Sequence, residues 1–533
     1  MQRFHFVVPM ARRYSPNFST NRIAGLVTAH AGPAILAEQL RRRGMAVRVF
    51  DEHVAPADLN LIAQADMVGV SVSTLEAVQG YRLARAIRDR GVPVVMGGVH
   101  ASLNADECLD HADFVVRNEG EETLPELIAA LETRTRPLTE IRGLRFWDGS
   151  RKVHNPARPF LQDLDEVPLP NWRLVEGLGH PLRSPVNLLM YFTQISRGCN
   201  MACNFCSVTR AFGQSYRHRS VDHVLAELHS APRWTHGHLF FVDDSLMCDS
   251  DFMKEVLERM VREHIHFPLG WHSQMRIDAA RDRELLDLMR RTNCLAVTCG
   301  IESVNPETLK ALRKGQSVRQ VRDAVAAFHA HGIAVIGFFV FGSDHDDVTS
   351  IHAALEFAKE ARIELAGFMP LTPFPGTPLH HELSAQGRIF TRDWELYDVE
   401  HVVFRPLRMT PYELYTQTME CYRRFYRPSE AWKKVAWILR QRGFRPWEVP
   451  VTVLATLFWP VLKRANLAKE ELWGRDYRKL LWQVSEGTAA ERHRAEDALG
   501  NLSSRNLWWH DLGTYRPVKR LWRRALERAG IWP

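Results

Sequence analysis

Cysteine is scarce in this sequence, eight among 533 residues, and the spacings are irregular except at one place. That excludes a disulfide framework and points to a reducing cytoplasm. Long apolar runs are missing too, since no stretch reaches the roughly 18–20 residues that a membrane-spanning helix needs. The opening segment, MQRFHFVVPMARRYSP, has too short an apolar run and the wrong flanks for a secretory signal. No internal repeat and no low-complexity segment occur. A GxGxxG after the first strand signal is absent, which argues against a dinucleotide ligand. What is present, 45% hydrophobic and 25% charged residues, is the composition of a soluble globular protein, and the length implies two to four domains.

Acidic excess is also absent. The net charge is +7, but from Pro428 to the end there are 20 Lys+Arg against 11 Asp+Glu. The surplus of +9 therefore belongs to the tail, and the rest of the chain stands near −2. A basic tail suits a membrane surface, an acidic partner or nucleic acid; the expected partners include no nucleic acid.

Residues 1–140 alternate short apolar runs (RFHFVVP, AVRVFD, MVGVSVS, VPVVMGG, ADFVVR) with helical stretches. Continuous apolar strands interleaved with helices predict a doubly wound parallel sheet, whose ligand sites lie at the carboxyl ends of the strands. Those ends carry Ser71 to Thr74, Gly97 to Ser102 and Asn118 to Thr123. Residues 141–185 read as a connector with an Asp-Gly hairpin and a proline-rich extended run. Over 186–400 a second series of six strand–helix units predicts a partial (βα)6 barrel with chemistry at its strand ends. Residues 401–533 are rich in Trp and Arg and read as helical.

Within SRGCNMACNFCS, the thiols of Cys199, Cys203 and Cys206 follow the first strand of the second series. Three thiolates in so short a loop suit an iron–sulfur cluster and leave one iron open for catalysis. A structural zinc loop completed by a distant His is the bland alternative, but no second CxxC exists. Cys294 and Cys299 read as buried fillers. Cys108, Cys248 and Cys421 carry no signal.

This CxxxCxxC motif, with Phe205 before its last cysteine, resembles the radical S-adenosylmethionine superfamily over about 191–398. The resemblance implies a [4Fe-4S] cluster whose open iron chelates S-adenosylmethionine and cleaves it to a 5′-deoxyadenosyl radical. It also implies that Phe205, Asp243, Asp244, Gln274, Arg276 and Glu302 hold that cofactor; the alternative for each is a polar residue supporting the fold. The serine loop (Ser71, Ser73, Thr74), the double glycine (Gly97, Gly98, then Val99 and His100) and Glu119, Gly120 and Glu121 resemble the cobalamin-binding fold. Together these domains resemble cobalamin-dependent radical S-adenosylmethionine enzymes. The DxHxxG signature that supplies a lower axial histidine is missing after the first strand. Asp51 and His53 follow the second strand, and His53 is taken as a surface loop residue, not a ligand.

The family resemblance implies methyl transfer to an unactivated carbon of an apolar or polycyclic small molecule, under anaerobic conditions, with electrons from a donor such as flavodoxin or ferredoxin. Oxidative cyclisation of a tetrapyrrole, or a cobalamin or redox sensor without activity, are the competing readings. A methylthio-transferring enzyme would carry three further cluster cysteines, and only Cys108 precedes the motif. No dedicated general base stands out. Ten of the fifteen tryptophans fall between Trp432 and Trp532, and VPVTVLATLFWPVLKR is apolar but broken by Pro460. The tail is thus either a helical cap with core tryptophans or a peripheral membrane contact.

Overall fold

The computed structural model describes residues 1–11, 30–178, 190–231, 237–440 and 474–502, with scattered helical positions between 453 and 467. Strands β1 (Arg3–Val8), β2 (Ala46–Asp51), β3 (Met67–Ser71), β4 (Val94–Gly97) and β5 (Phe114–Val116) form a parallel sheet in the order β2-β1-β3-β4-β5. In β1 every residue from Phe4 to Val8 is buried. Both faces are therefore covered, which is why the strand reads as an unbroken apolar run. Leu40 of α1 (Ala31–Arg42) and Leu127 and Ile128 of α3 (Gly120–Thr133) pack with Phe4 in one core. Ile87 of α2 (Ala77–Arg88) packs with Val68, Val70 and Met96 in the other. The strand order reverses between β1 and β3, the place where doubly wound sheets open a ligand crevice.

The expected Asp-Gly hairpin forms and joins this sheet. Strands β6 (Leu144–Asp148) and β7 (Arg151–His154) add antiparallel beyond β5, turning at Gly149 with φ +58°.

A second, six-stranded sheet is parallel throughout and runs in sequence order: β8 (Met190–Thr193), β11 (His238–Phe241), β12 (Trp271–Met275), β13 (Cys294–Glu302), β14 (Ala334–Phe341), β15 (Leu365–Pro370). With α4 (Val221–Ser230), α5 (Ser250–Arg262), α6 (Arg283–Arg291), α7 (Val318–Ala330) and α8 (Val348–Glu360) between the strands, it is the predicted partial barrel. Asp249 caps α5 and Ser317 boxes α7, each contributing about 1 kcal/mol. Cys294 and Cys299 are buried in β13 as expected. A short antiparallel pair, β9 (Ser196–Arg197) with β10 (Arg217–His218), stands at the mouth.

The sheet stops at β15 because side chains satisfy its open edge. After α9 (Pro378–Ala385), helix α10 (Pro411–Phe425) packs on β15. Ala366 N–H donates to the Tyr426 hydroxyl, which donates back to Ala366 O, and Phe368 N–H donates to the Tyr422 hydroxyl. Helices α11 (Pro428–Ile438), α12 (Arg475–Glu486) and α13 (Ala489–Gly500) complete the described tail. Trp432 and Trp482 are 62% and 48% exposed, whereas Trp437 packs against His329. Half of VPVTVLATLFWPVLKR lies outside the described residues. Among the described residues, no helix is long and apolar enough to cross a membrane.

Candidate functional site

The cysteine loop is launched by a buried carboxylate. Asp243, at the end of β11, accepts from the backbone N–H groups of Ile195 (3.1 Å) and Ser196 (2.5 Å) and from Ser196 Oγ (2.5 Å). Burial pushes its carboxyl up to about 7 despite those donors. Asp243 is fully buried and its oxygens are taken by the β8–β9 turn. Gly198 follows with φ +82°, and a Cβ there would lie 2.4 Å from Ser215 O, so only glycine lets the chain turn beneath β10. Asn204 Nδ2 donates to Ala311 O and Leu379 N–H donates to Asn204 O (both 3.1 Å), tying the loop to the barrel rim.

Cys199, Cys203 and Cys206 are half-buried. Burial pushes the Cys206 thiol up to about 11, and nearby Cys203 adds to the rise. Among the described residues, His30, Asp51 and His53 are the one group of three whose ligand atoms all lie within 4.8 Å of one another. Three half-buried thiols in one short loop are the soft donor set that an iron–sulfur cluster takes. Cys248 was not foreseen; its thiol hydrogen-bonds with that of Cys199 and lies 3.4 Å from Asn200 Oδ1.

Around the triplet the strand ends converge. Asp244 Oδ2 is buried without a hydrogen-bond partner, and burial, with Cys248 nearby, pushes its carboxyl up to about 6. An orphaned carboxylate oxygen beside the cluster loop fits a ligand bearing an ammonium group. Glu302 sits at φ +64° where β13 shifts register against β14. The bulge turns its side chain onto Lys314 Nζ at 2.7 Å. Gly300 leaves room for that carboxylate, which would lie 2.2 Å from any Cβ there. Arg276 spends its fork on Asp278 (2.9 and 2.8 Å) and donates to Lys314 O at 3.2 Å. Gln274 is exposed and Phe205 is half-buried against the core. Lys314, missed in the sequence, lies between Glu302 and Cys203.

A cavity of about 390 Å³ lies between the two sheets. Ser71, Ser73, Gly97, Gly98, Val99, Glu119, Gly120 and Glu121 line it from the first sheet; Phe192, Gln194, Arg197 and Val242 line it from the second. Its place at the strand-order reversal, and its glycine-backed wall, fit a large planar cofactor such as cobalamin. Gly98 has φ +96°, and a Cβ would meet Val72 O at 2.7 Å and Val72 N at 2.8 Å. Its lack of a side chain thus serves the approach of the β3 loop. Thr74 and His100 do not line the cavity. His100 is fully buried, with Nε2 2.9 Å from the Tyr81 hydroxyl and Nδ1 3.3 Å from Thr74 Oγ1.

Two charged clusters frame the cavity. Arg197 reaches Glu119 Oε1 (3.1 Å) and Glu121 Oε1 (2.6 Å), while Arg217 reaches Glu119 Oε1 (2.9 Å). All four side chains are buried, so these glutamates clasp the two domains together while facing the cavity. Neither arginine was singled out in the sequence, because pairing across domains has no local signature. The second cluster corrects the reading of His53 as a surface residue: it is 5% exposed. Its Nδ1 lies 2.8 Å from Asp51 Oδ1 and its Nε2 2.9 Å from Glu76 Oε1, and His30 Nδ1 lies 3.0 Å from Asp51 Oδ2. The loop after β2 folds inward because two buried carboxylates need a cation between them.

Residues 24–128 match the B12 binding domain and residues 193–358 the radical SAM superfamily. The chain is 27% identical over 405 residues to the bacteriochlorophyllide d C-12(1)-methyltransferase of Chlorobaculum tepidum, covering 75% of this chain and 83% of that protein. It is 28% identical to the hopanoid C-3 methylase of Methylococcus capsulatus, covering 75% and 77%. An anaerobic magnesium-protoporphyrin IX monomethyl ester cyclase of Cereibacter sphaeroides is 29% identical, over 62% of this chain and 55% of that protein. In fold, the chain is similar to the cobalamin-dependent S-adenosylmethionine radical enzyme OxsB with aqua-cobalamin bound (TM-score 0.65, 15% identity, 94% of this chain and 84% of that one). It is also similar to the radical S-adenosylmethionine methyltransferase TsrM of Kitasatospora setae (TM-score 0.60, 21% identity, 72% and 76%). With a B12-binding domain leading into a radical SAM domain, the chain belongs to the cobalamin-dependent radical S-adenosylmethionine enzymes, whose cofactors are cobalamin, S-adenosylmethionine and a [4Fe-4S] cluster.

Proposed function

We propose that this enzyme transfers a methyl group to an unactivated carbon of a neutral, apolar polycyclic molecule. The observation that carries the reading is the shared cavity, bounded at once by the serine and glycine loops of the first sheet and by Phe192, Gln194 and Val242 of the second. When bound, the cluster supplies one-electron cleavage of S-adenosylmethionine and cobalamin carries the methyl group. Cys199, Cys203 and Cys206 hold the cluster. Asp244, with its free oxygen, takes the ammonium of S-adenosylmethionine; Phe205, Gln274, Arg276 and Glu302 wall the same ligand; and Asp243 positions the loop. Ser71, Ser73, Gly97, Gly98, Val99 and Gly120 form the cobalamin wall, with residues 1–140 as that domain and 186–400 as the radical domain.

The reductant is a small protein donor of the flavodoxin or ferredoxin kind. Trp432 and Leu439, seven residues apart and both more than 60% exposed, support peripheral contact of the basic tail with a membrane, where an apolar substrate would reside.

Anaerobic reconstitution with cobalamin and reductant tests the reading. Formation of 5′-deoxyadenosine together with a product heavier by one methylene unit supports it. A product that has lost hydrogen or gained oxygen would favour the cyclase reading, and no S-adenosylmethionine cleavage at all would favour a sensor.

A further inference from the structure

Strands β11 to β15 alternate between a buried outer face and a half-buried inner face, the latter carrying Phe240, His272, Thr298, Ile336, Phe338 and Met369. Among the described strand residues of that face, none below Glu302 is Asp, Glu, Lys or Arg. Phe192, which lines the interdomain cavity, meets Phe240 edge-on at 6.1 Å, and Phe240 stacks on His272 at 4.0 Å and 7°. An aromatic strip therefore leads from the cavity to His272.

Hydrogen bonding fixes the state of that ring. His238 Nδ1 lies 2.7 Å from Leu269 O, which can only accept, so it carries the proton. Its Nε2, 2.6 Å from His272 Nδ1, is then an acceptor, and His272 must donate from Nδ1. Burial lowers both pKa values, His272 to about 3, so the pair is neutral at physiological pH. His272 Nε2 is left with a lone pair and no partner among the described residues.

His272 stands four residues before Arg276, roughly 13 Å along the strand from the barrel mouth. A carboxylate offers a neutral acceptor nothing, and an ammonium would be costly to desolvate on this face. An alcohol supplies a donor without charge. We propose that His272 Nε2 accepts a hydrogen bond from a hydroxyl at the far end of the substrate, a largely hydrocarbon polycycle whose reacting carbon lies on the order of 10 Å away. This rests on the methyl-transfer reading and narrows its substrate to a neutral alcohol.

The test is binding to the reconstituted holoenzyme of a hopanoid alcohol and of the matching hopanoid hydrocarbon lacking only the hydroxyl, both in micelles. The alcohol is expected to bind about fivefold to tenfold tighter, as for one uncharged hydrogen bond. In His272→Phe, which keeps the stack on Phe240, the preference falls to about one while hydrocarbon affinity is unchanged. In His272→Gln, which restores an acceptor, part of the preference returns. No preference in the wild type, binding of neither probe, or a preference that survives His272→Phe overturns the proposal. The parent reading is scored separately by 5′-deoxyadenosine formation and methylene gain, so either can fail while the other holds.

Discussion

Replacing Arg197 by Met removes the central cation of the interdomain clasp while keeping much of its volume. The side chains of Arg197, Glu119 and Glu121 are 7%, 4% and 8% exposed, so solvent screens none of them. Glu119 retains Arg217 at 2.9 Å and accepts from Leu161 N–H at 2.7 Å. Among the described residues, Arg197 is the one ion-pair partner of Glu121, at 2.6 Å. The loss therefore amounts to stranding one buried carboxylate, a cost of about 3–5 kcal/mol. Arg197→Met should lower the denaturation midpoint and speed hydrogen exchange at 118–124 and 196–219, and reconstituted protein should shed cobalamin on gel filtration. Adding Glu121→Gln should recover most of the loss, because the stranded charge is gone. Unchanged stability and cobalamin retention in Arg197→Met would refute the clasp, and so would a double variant no better than the single.

Replacing any one of Cys199, Cys203 and Cys206 by Ala should abolish cluster absorbance and 5′-deoxyadenosine formation, while Cys248→Ser should keep the cluster; iron content and visible spectra decide. His53, between Asp51 and Glu76, has its pKa raised to about 10, favoured by both carboxylates against the cost of burial. Its folded value lies above its ordinary 6.5, so its contribution is whole below about pH 6.5 and disappears as pH rises through 10. The thermal-stability advantage of wild type over His53→Gln should therefore shrink steadily across that window. Gly98→Ala would force a Cβ to 2.7 Å from Val72 O at a φ of +96°, costing about 1–3 kcal/mol and weakening cobalamin retention, as read by equilibrium dialysis.

Periodicity made both sheets legible in the sequence, because strands buried on both faces, or buried on one and half-buried on the other, leave apolar runs such as RFHFVVP and AVIGFFVFG. Short-range chemistry was equally visible: the cysteine triplet, and the Asp-Gly turn at Gly149. Contacts that depend on distant parts of the chain were not. Nothing near NEGEET announces that Glu119 and Glu121 will meet Arg197 and Arg217 some eighty to a hundred residues away. His53 read as a surface residue because its segment follows the second strand and ends in Pro56, yet Glu76 from the turn after β3 draws it inside. Asp243 and Asp244 are adjacent and alike in sequence. Only their backbone surroundings separate a carboxylate absorbed by the β8–β9 turn from one with an oxygen to offer.

The clasp and the aromatic strip constrain the same geometry. Phe192 belongs to the cavity wall and to the barrel's inner face, and Arg197 stands five residues further along the same segment. The spacing between the first sheet's loops and the cysteine loop is thus set by one short stretch, 192–206, pinned by Asp243 on one side and by Glu119 and Glu121 on the other. On the proposed reading, a substrate carbon held near the cluster loop would receive its methyl group across this gap. Loosening the clasp should therefore uncouple the two events before it stops either. In Arg197→Met with cofactors in excess, 5′-deoxyadenosine should accumulate in molar surplus over methylated product. Equal loss of both would mean that Arg197 acts on stability alone.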